Sequence, residues 1–282
     1  MAEQMLGRPV AEALYAEVAK RVGALREEHV HPRLALVRVG EDQANGSYER
    51  TVLKRADEVG IAVEVRALAA DVNKLALYAD IEGINADART HACLMFRPLP
   101  HTLDEMTACN MIASEKDVDG VGAASLAGVF MGLPEGFAPC TAEACVRMLD
   151  FYGVELAGKH VVVVGRSLVV GKPAAMLMLA RDATVTLCHS GTTGLPEIMR
   201  AADIVVCATG NARTFGAECF CAGQVVLDVG TNIDADGVFC GDVDFAAVEP
   251  VVERITPVPG GIGAVTTAVL LQHVVEAAER TR

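Results

Sequence analysis

Val163-Val164-Gly165-Arg166-Ser167-Leu168-Val169-Val170-Gly171-Lys172-Pro173 joins an apolar run to a helix-forming one. His160 to Val164 reads as a buried strand, and Lys172 to Ala180 reads as a helix. A strand that ends in a glycine turn and opens a helix aims backbone N–H groups at an anion, as in a dinucleotide site. Gly165 permits the tight turn, and Gly171 permits close approach. The spacing is not G-x-G-x-x-G, so an ordinary βα turn is the competing reading.

Working outward, Thr184 to Cys188, Ile204 to Ala208 and Val225 to Val229 read as further parallel strands. A short helix near Glu197 to Ala201 precedes the middle one. This half, 140–258, is expected to be a Rossmann-like, doubly wound parallel sheet. Thr141 to Tyr152 reads as the helix leading into it. Asp117 to Pro139, with five glycines, reads as loop and holds the domain boundary.

The first half, 1–120, reads as a second α/β domain. Val10, Leu14, Val18 and Val22 keep a helical period. Leu34 to Val39 is a strand ending at Gly40. Ser47 to Val59 is a helix, with Ser47 as its N-cap and Gly60 as its stop. Ile61 to Leu68 is a strand, Val72 to Asn85 a helix, and Ala92 to Phe96 a strand. The last runs into Pro98-Leu99-Pro100, which no central strand tolerates. Thr266 to Arg282 forms a closing helix. Arg26, Glu27 and Glu28, and later Glu276, Glu279 and Arg280, read as solvated helix faces.

Composition narrows the class. The 282 residues include 24 Lys+Arg and 37 Asp+Glu, a formal charge of −13. A 52% hydrophobic share excludes a disordered chain. The acidic balance and the lack of Trp argue against nucleic-acid binding. No apolar run approaches the roughly 20 residues of a membrane span, and Met1 to Leu14 is no signal peptide. The nine cysteines lack zinc spacing; Cys219-Phe220-Cys221 is the only tight pair. We expect free thiols, a cytoplasmic protein and no metal.

The end of the second strand of the 140–258 half bears on the cofactor. NAD sites place an acid there, about 20 residues past the first glycine. Here Val185-Thr186-Leu187-Cys188-His189-Ser190 holds none. Arg166 and Ser190 could instead meet a 2′-phosphate, which favours NADP, with NAD as the alternative. His189 alone reads as a turn or cap residue.

Several motifs then fall into one series. They are Pro98-Leu99-Pro100, Lys116-Asp117-Val118-Asp119-Gly120, Pro139-Cys140-Thr141 and the glycine turn with Cys188-His189-Ser190. Gly241-Asp242-Val243-Asp244 and Pro257-Val258-Pro259-Gly260-Gly261-Ile262-Gly263 follow. The series resembles the methylenetetrahydrofolate dehydrogenase/cyclohydrolase family, from about residue 34 to 270. The resemblance implies two α/β domains with the active-site cleft between them, and a homodimer. The first domain, with the 262–282 helix packing back, would hold a tetrahydrofolate derivative. The second would hold the cofactor through Gly165, Arg166, Ser167, Val170, Gly171, His189, Ser190 and Thr231. Tyr48 and Asp119 match catalytic positions. Tyr48, Val52, Phe96, Leu99, Asp119, Pro259, Gly260 and Gly261 would line the folate site.

Two departures matter. The family has Lys four residues after the tyrosine; here that position is Val52. Lys54 lies roughly 240° around the helix from Tyr48, a poor substitute. The family has Gln two residues before Pro98; here it is Phe96, followed by Arg97. Hydride transfer needs alignment more than a base. Hydrolysis of the methenyl form needs managed proton transfers. The expectation is a dehydrogenase with weak or absent cyclohydrolase activity. A bifunctional enzyme using another base, and a folate- or NADP-binding paralogue, are the alternatives.

Overall fold

The apolar runs become parallel strands, and the glycine turns become the points where the chain leaves the sheets. The structure, a computed structural model, describes residues 1–40 and 43–282, with the backbone alone for 43–45. In chain order the elements begin with β1 (Glu3–Gln4), α1 (Gly7–Glu27), β2 (Arg33–Val39), α2 (Gln43–Val59), β3 (Ala62–Leu68), α3 (Lys74–Ala86) and β4 (Ala92–Met95). Next come α4 (Glu105–Met111), α5 (Ala123–Met131), α6 (Cys140–Phe151), β5 (His160–Val164), α7 (Gly171–Leu179), β6 (Thr184–Cys188), α8 (Leu195–Arg200) and β7 (Ile204–Cys207). The chain closes with β8 (Val225–Asp228), β9 (Asn232–Ile233), β10 (Phe239–Cys240), α9 (Phe245–Val248), β11 (Arg254–Ile255) and α10 (Ile262–Glu279).

Two compact units emerge, and each interleaves distant stretches of chain. One is Glu12–Cys140 with Thr267–Arg282; the other is Met1–Ala11 with Thr141–Thr266. Residues 1–11, counted with the first domain on sequence grounds, join the later unit because β1 pairs in parallel with β11. A two-residue strand is too short to show a period.

The unit containing residues 12–140 is built on a three-stranded parallel sheet in the order β3-β2-β4. Ala35, Val37, Cys93 and Met95 face Leu77, Ile81 and Ile84 of α3 and Ala108 and Cys109 of α4. Leu34 and Leu36, on the opposite face, are also fully buried. Burial on both faces is why Leu34–Val37 of β2 and all of β4 read as unbroken apolar runs, whereas β3, at the edge, alternates. The helix expected from Ser47 begins at Gln43, so Ser47 is inside it and its carbonyl accepts from Thr51 Oγ1 at 3.0 Å. Asn45 and Gly46 are weak helix formers by type, a preference that tertiary context overrides here. The acidic turn Glu41-Asp42 lies outside the described residues.

Three helices, α4, α5 and the short α9, lie where loop was expected or none was assigned. Asp104 caps α4 by accepting from Thr107 N at 3.1 Å. The α5 helix sits inside the glycine-rich stretch and stops at Gly132, whose φ is +65°. The α10 surface also departs from the solvated reading. Glu279 accepts from Arg21 Nε at 3.0 Å and Nη2 at 2.6 Å. Arg280 lies 4.1 Å over the Phe137 ring and donates to the Gly136 carbonyl.

The other unit carries a six-stranded parallel sheet in the order β1-β11-β8-β7-β5-β6. From β5 the chain crosses to β6 through α7, then returns past β5 to β7 through α8. With right-handed crossovers, the two helices cover opposite faces. Met199 and Ala202 at α8 pack on Val162, Val164, Val205, Cys207 and Val226. The alternation of those strand positions matches the two-residue period.

Candidate active site

In a parallel sheet, ligands gather outside the carboxyl ends of the strands where the crossovers reverse. In the six-stranded sheet that place is β5, flanked by β6 and β7. Gly165 follows β5 with a φ of +131°, and a Cβ there would collide with the Ala208 carbonyl oxygen. A Cβ on Gly171 would collide with the Gly165 carbonyl. Both glycines therefore let backbone pack on backbone, which lays the start of α7 directly over the turn. Ser167 Oγ accepts from Val170 N at 3.1 Å and Gly171 N at 3.4 Å, closing the turn that leads into α7.

Arg166 and Ser167 are exposed in this turn. Because Val164 pairs with Cys188, Ser190 stands at the matching height beyond β6, and it too is exposed. His189 closes a tight turn: its N–H donates to Thr192 Oγ1 at 2.9 Å, and its Nδ1 accepts from Gly191 N at 3.1 Å. Nδ1 is thus the unprotonated nitrogen, and the geometry is that of a turn residue. Thr231 is exposed beyond the end of β8.

Asp228 and Asp242 organise the loops on this edge, and sequence reasoning gave neither a role. Asp242 is fully buried. Its carboxylate accepts from Thr209 N, Thr209 Oγ1 at 2.9 Å, Gly210 N at 3.1 Å, Asn211 N at 3.0 Å and Asn232 Nδ2 at 2.9 Å. One side chain so fixes the turn after β7 to β9. Asp228 accepts from the N–H groups of Gly230, Asp242 and Val243. Burial pushes its carboxyl up to about 6 against those hydrogen bonds. The signal that could have found Asp242 was the Gly241-Asp242-Val243-Asp244 motif itself.

Pro259 and Gly260 are exposed, or nearly so, and Gly260 has a φ of +106°. The Gly260 carbonyl accepts from Gly7 N at 2.7 Å, and a Cβ on Gly7 would strike the Gly261 carbonyl. This segment therefore ties the start of α1 to the start of α10.

In the unit built on β3-β2-β4, crossovers reverse at β2. The Lys116–Gly120 motif runs beside β4, with Cys93 bridged to Asp117. Lys116 Nζ donates to the carbonyls of Ile84, Asn85 and Asp87 at 2.8–2.9 Å, closing the end of α3. Asp117 accepts from Val121 N, Gly122 N and Ser125 Oγ, opening α5. The Val118 carbonyl accepts from His273 Nδ1 at 2.8 Å. Gly120, at a φ of +69°, leaves no room for a side chain beside Phe137 and Pro139. Four of the five residues are thus fastened into the scaffold, and Asp119 is the side chain presented.

Asp119 Oδ2 accepts from Arg97 Nη2 at 3.1 Å. Burial raises the Asp119 carboxyl above its ordinary range, opposed by Arg97. Tyr48 stacks at a tilt on Phe96, with centroids 5.7 Å apart. Burial raises its phenol well above the ordinary value, and the nearby Asp119 charge adds to this. The hydrogen-bonded Thr267 hydroxyl opposes it. Val52, one turn after Tyr48, is completely buried, and Phe96 is 5% exposed. Leu99 lies in the core cluster with Val37 and Met95. Lys54 is 71% exposed and pairs with Glu58 at 3.9 Å. The structure therefore brings Tyr48, Phe96, Arg97 and Asp119 together and leaves Lys54 outside. Sequence reasoning noted Arg97 only as the residue after Phe96 and missed its contact with Asp119.

All nine cysteines are free thiols, eight of them buried. Among the described residues no cluster of His, Cys, Asp and Glu could hold a metal ion, and no helix is long and apolar enough to cross a membrane.

Comparison with known proteins gives the same picture from a separate direction. The catalytic domain of tetrahydrofolate dehydrogenase/cyclohydrolase matches residues 5–119, and its NAD(P)-binding domain matches 139–282. The bifunctional protein FolD of Carboxydothermus hydrogenoformans is 46% identical over 99% of this chain and 98% of its own. The bifunctional FolD dehydrogenase/cyclohydrolase of Campylobacter jejuni superposes with a TM-score of 0.96 at 32% identity, covering 99% of both chains. The Trypanosoma brucei enzyme, solved with NADP and an inhibitor, gives 0.92 at 33% identity, covering 99% and 98%. With both halves matched and the likeness running end to end, the chain belongs to the tetrahydrofolate dehydrogenase/cyclohydrolase family, and it is an oxidoreductase with that family's NAD(P)-binding domain.

Proposed function

We propose that this enzyme is a methylenetetrahydrofolate dehydrogenase that works with NADP and whose cyclohydrolase activity is weak or absent. The stretch 1–120, with 262–282, would bind the folate through Tyr48, Val52, Phe96, Leu99 and Asp119, together with Pro259, Gly260 and Gly261. The stretch 140–258 would bind the cofactor. The exposed Arg166 and Ser190, at neighbouring strand ends with no acid between them, support NADP over NAD.

When bound, NADP supplies the acceptor for a hydride leaving the methylene carbon of 5,10-methylenetetrahydrofolate. The folate nitrogen lone pair stabilises the cation left behind, so no side chain need take a proton. The protein's task is alignment. Asp119 offers an acceptor for ring N–H donors, and the Tyr48–Phe96 pair offers an apolar wall beside it.

Hydrolysis of the methenyl product asks for more. Water must attack the methenyl carbon and lose a proton. The observation that carries our reading is the pair of apolar side chains at the two proton-handling positions, Val52 and Phe96. The groups that remain are poor bases. The Arg97 guanidinium has donors and no acceptor, and the Tyr48 phenol stays neutral at working pH. Asp119, with its raised carboxyl, is the one group that could support the bifunctional reading.

A paired assay on purified protein tests the proposal. One arm follows oxidation of 5,10-methylenetetrahydrofolate with NADP and then NAD. The other follows hydrolysis of the methenyl form against its spontaneous rate. We expect turnover in the first arm, faster with NADP, and background in the second. In the double variant Val52→Lys, Phe96→Gln, hydrolysis should rise by on the order of 10²-fold, the low end of what general acid–base groups contribute. No gain in a folded double variant would overturn the account. Silence in both arms would leave a binding paralogue. A homodimer in the cytoplasm completes the reading, and light scattering of the purified chain tests the dimer.

A further inference from the structure

Arg97 stands directly after Phe96, where the chain turns into Pro98-Leu99-Pro100. Its Nη2 donates to Asp119 Oδ2 at 3.1 Å, and the two side chains are 23% and 20% exposed. Its Nε is buried and meets no acceptor among the described residues. The guanidinium therefore commits one nitrogen to one carboxylate oxygen and keeps a buried donor in reserve.

Asp119 has little else to hold it negative. Around it stand Tyr48 on α2, Cys109 on α4, Asp117 in its own segment and His273 on α10. Burial and the Asp117 charge push its carboxyl up; Arg97, and to a smaller degree His273, pull it down. Lys116, the nearest cation in sequence, spends its ammonium on three carbonyls of the α3 end. A buried carboxyl deprived of its cation takes up a proton, and one of its oxygens turns from acceptor to donor.

We infer that Arg97 is a positioning residue for the folate site, fixing the Asp119 side chain in place and keeping it an ionised acceptor for the N–H donors of a pterin ring. The role in folate binding rests on the functional reading above; the hold on Asp119 does not. Arg97 is also a feature of this chain's departure before Pro98, so the same short segment that gives up a proton-carrying amide supplies a fixed cation.

The first test is a carboxyl ¹³C NMR titration of Asp119 in the free protein, assigned with Asp119→Asn. Arg97→Met should raise the Asp119 midpoint by about one pH unit or more, within the range that a close opposite charge produces. Arg97→Lys should keep it near wild type. The second test is the pH profile of kcat/KM for 5,10-methylenetetrahydrofolate. Its acid limb should move upward with the titration in Arg97→Met. The KM for the folate should rise about tenfold, equivalent to about 1.4 kcal/mol, and the KM for NADP should stay put. A merely structural role would lower activity evenly and leave the limb in place. An unmoved Asp119 midpoint in folded Arg97→Met overturns the inference, as does a limb that ignores it. If Arg97→Met does not fold, Arg97→Gln replaces it, and the same two outcomes decide. If the wild type shows no dehydrogenase activity, the functional reading fails while the titration still decides the hold on Asp119. Tetrahydrofolate binding against pH then replaces turnover, and binding that ignores the Asp119 midpoint overturns the folate role.

Discussion

Two carboxylates, one in each unit, stand near the carboxyl edge of a parallel sheet whose crossovers reverse at an inner strand. Asp242 accepts from five donors, all uncharged, and is fully buried. Asp119 receives one hydrogen bond among the described residues, from a charged guanidinium, and keeps a fifth of its side chain open. An ionised carboxylate has about four lone-pair sites. The first is saturated by the protein that surrounds it, so it can only hold loops. The second has room for a ligand. Residue type and motif look alike at the two places, Gly-Asp-Val-Asp and Lys-Asp-Val-Asp-Gly. The count of donors tells a carboxylate spent on the scaffold from one with acceptor capacity left over.

Breaking the saturated carboxylate should have the larger effect. Asp242→Ala strands five donors, and leaving buried polar groups unsatisfied costs about 1–3 kcal/mol each, with water recovering part. A net loss of about 4 kcal/mol is expected in urea unfolding, with weakened NADP binding. Asp119→Ala should cost about 1 kcal/mol or less and act on folate binding instead. Equal losses in the two variants would erase the distinction.

Lys116→Met carries the comparison into the fastening around Asp119. It removes the ammonium that closes α3 on three carbonyls, for an expected loss of about 3 kcal/mol. Folate binding should weaken as Asp119's segment loosens, while NADP binding holds. Thermal unfolding together with the two binding constants checks this.

A pH-dependent effect separates Asp228 from its neighbour. Its carboxyl lies at about 6 in the folded protein against an ordinary 3.8. The folded state thus binds this proton more tightly than the unfolded chain does. The stability this group contributes is full below pH about 4 and is lost as pH rises through about 6. Relative to Asp228→Asn, the wild type should lose on the order of 2 kcal/mol between pH 4 and pH 7. A flat difference would mean that its three N–H bonds offset burial.

Much of this could be read from the chain. The strands His160–Val164 and Thr184–Cys188 appear with the bounds read from the sequence, the first because a buried parallel strand leaves an unbroken apolar run. The segment from Asp117 to Pro139 misled, because glycines at 122 and 128 serve close packing around α5 rather than loops. The start of α2 was hidden by Asn45 and Gly46, whose weak propensity a packed helix tolerates. At the candidate sites, spacing pointed to Gly165, and the family resemblance pointed to Tyr48 and Asp119. They could not find the Arg97–Asp119 contact or the donors on Asp242. Those depend on which loops the fold lays against each other, 22 and about 32 residues apart in sequence.

Three of the fastenings that α10 makes to its unit share a property of timing. Thr267 reaches Tyr48, His273 reaches the Val118 carbonyl, and Glu279 clasps Arg21 across 258 residues. All three come from residues 267–282, which leave the ribosome after the rest of their unit. Chain growth runs from the N-terminus and domains tend to fold as they emerge. The three-stranded sheet can form early, but the unit that carries Tyr48 and Asp119 cannot close until residues 267–282 have emerged. A nascent chain stalled before residue 267 should therefore bear an open apolar seam along α1 and α2 for a chaperone to shield.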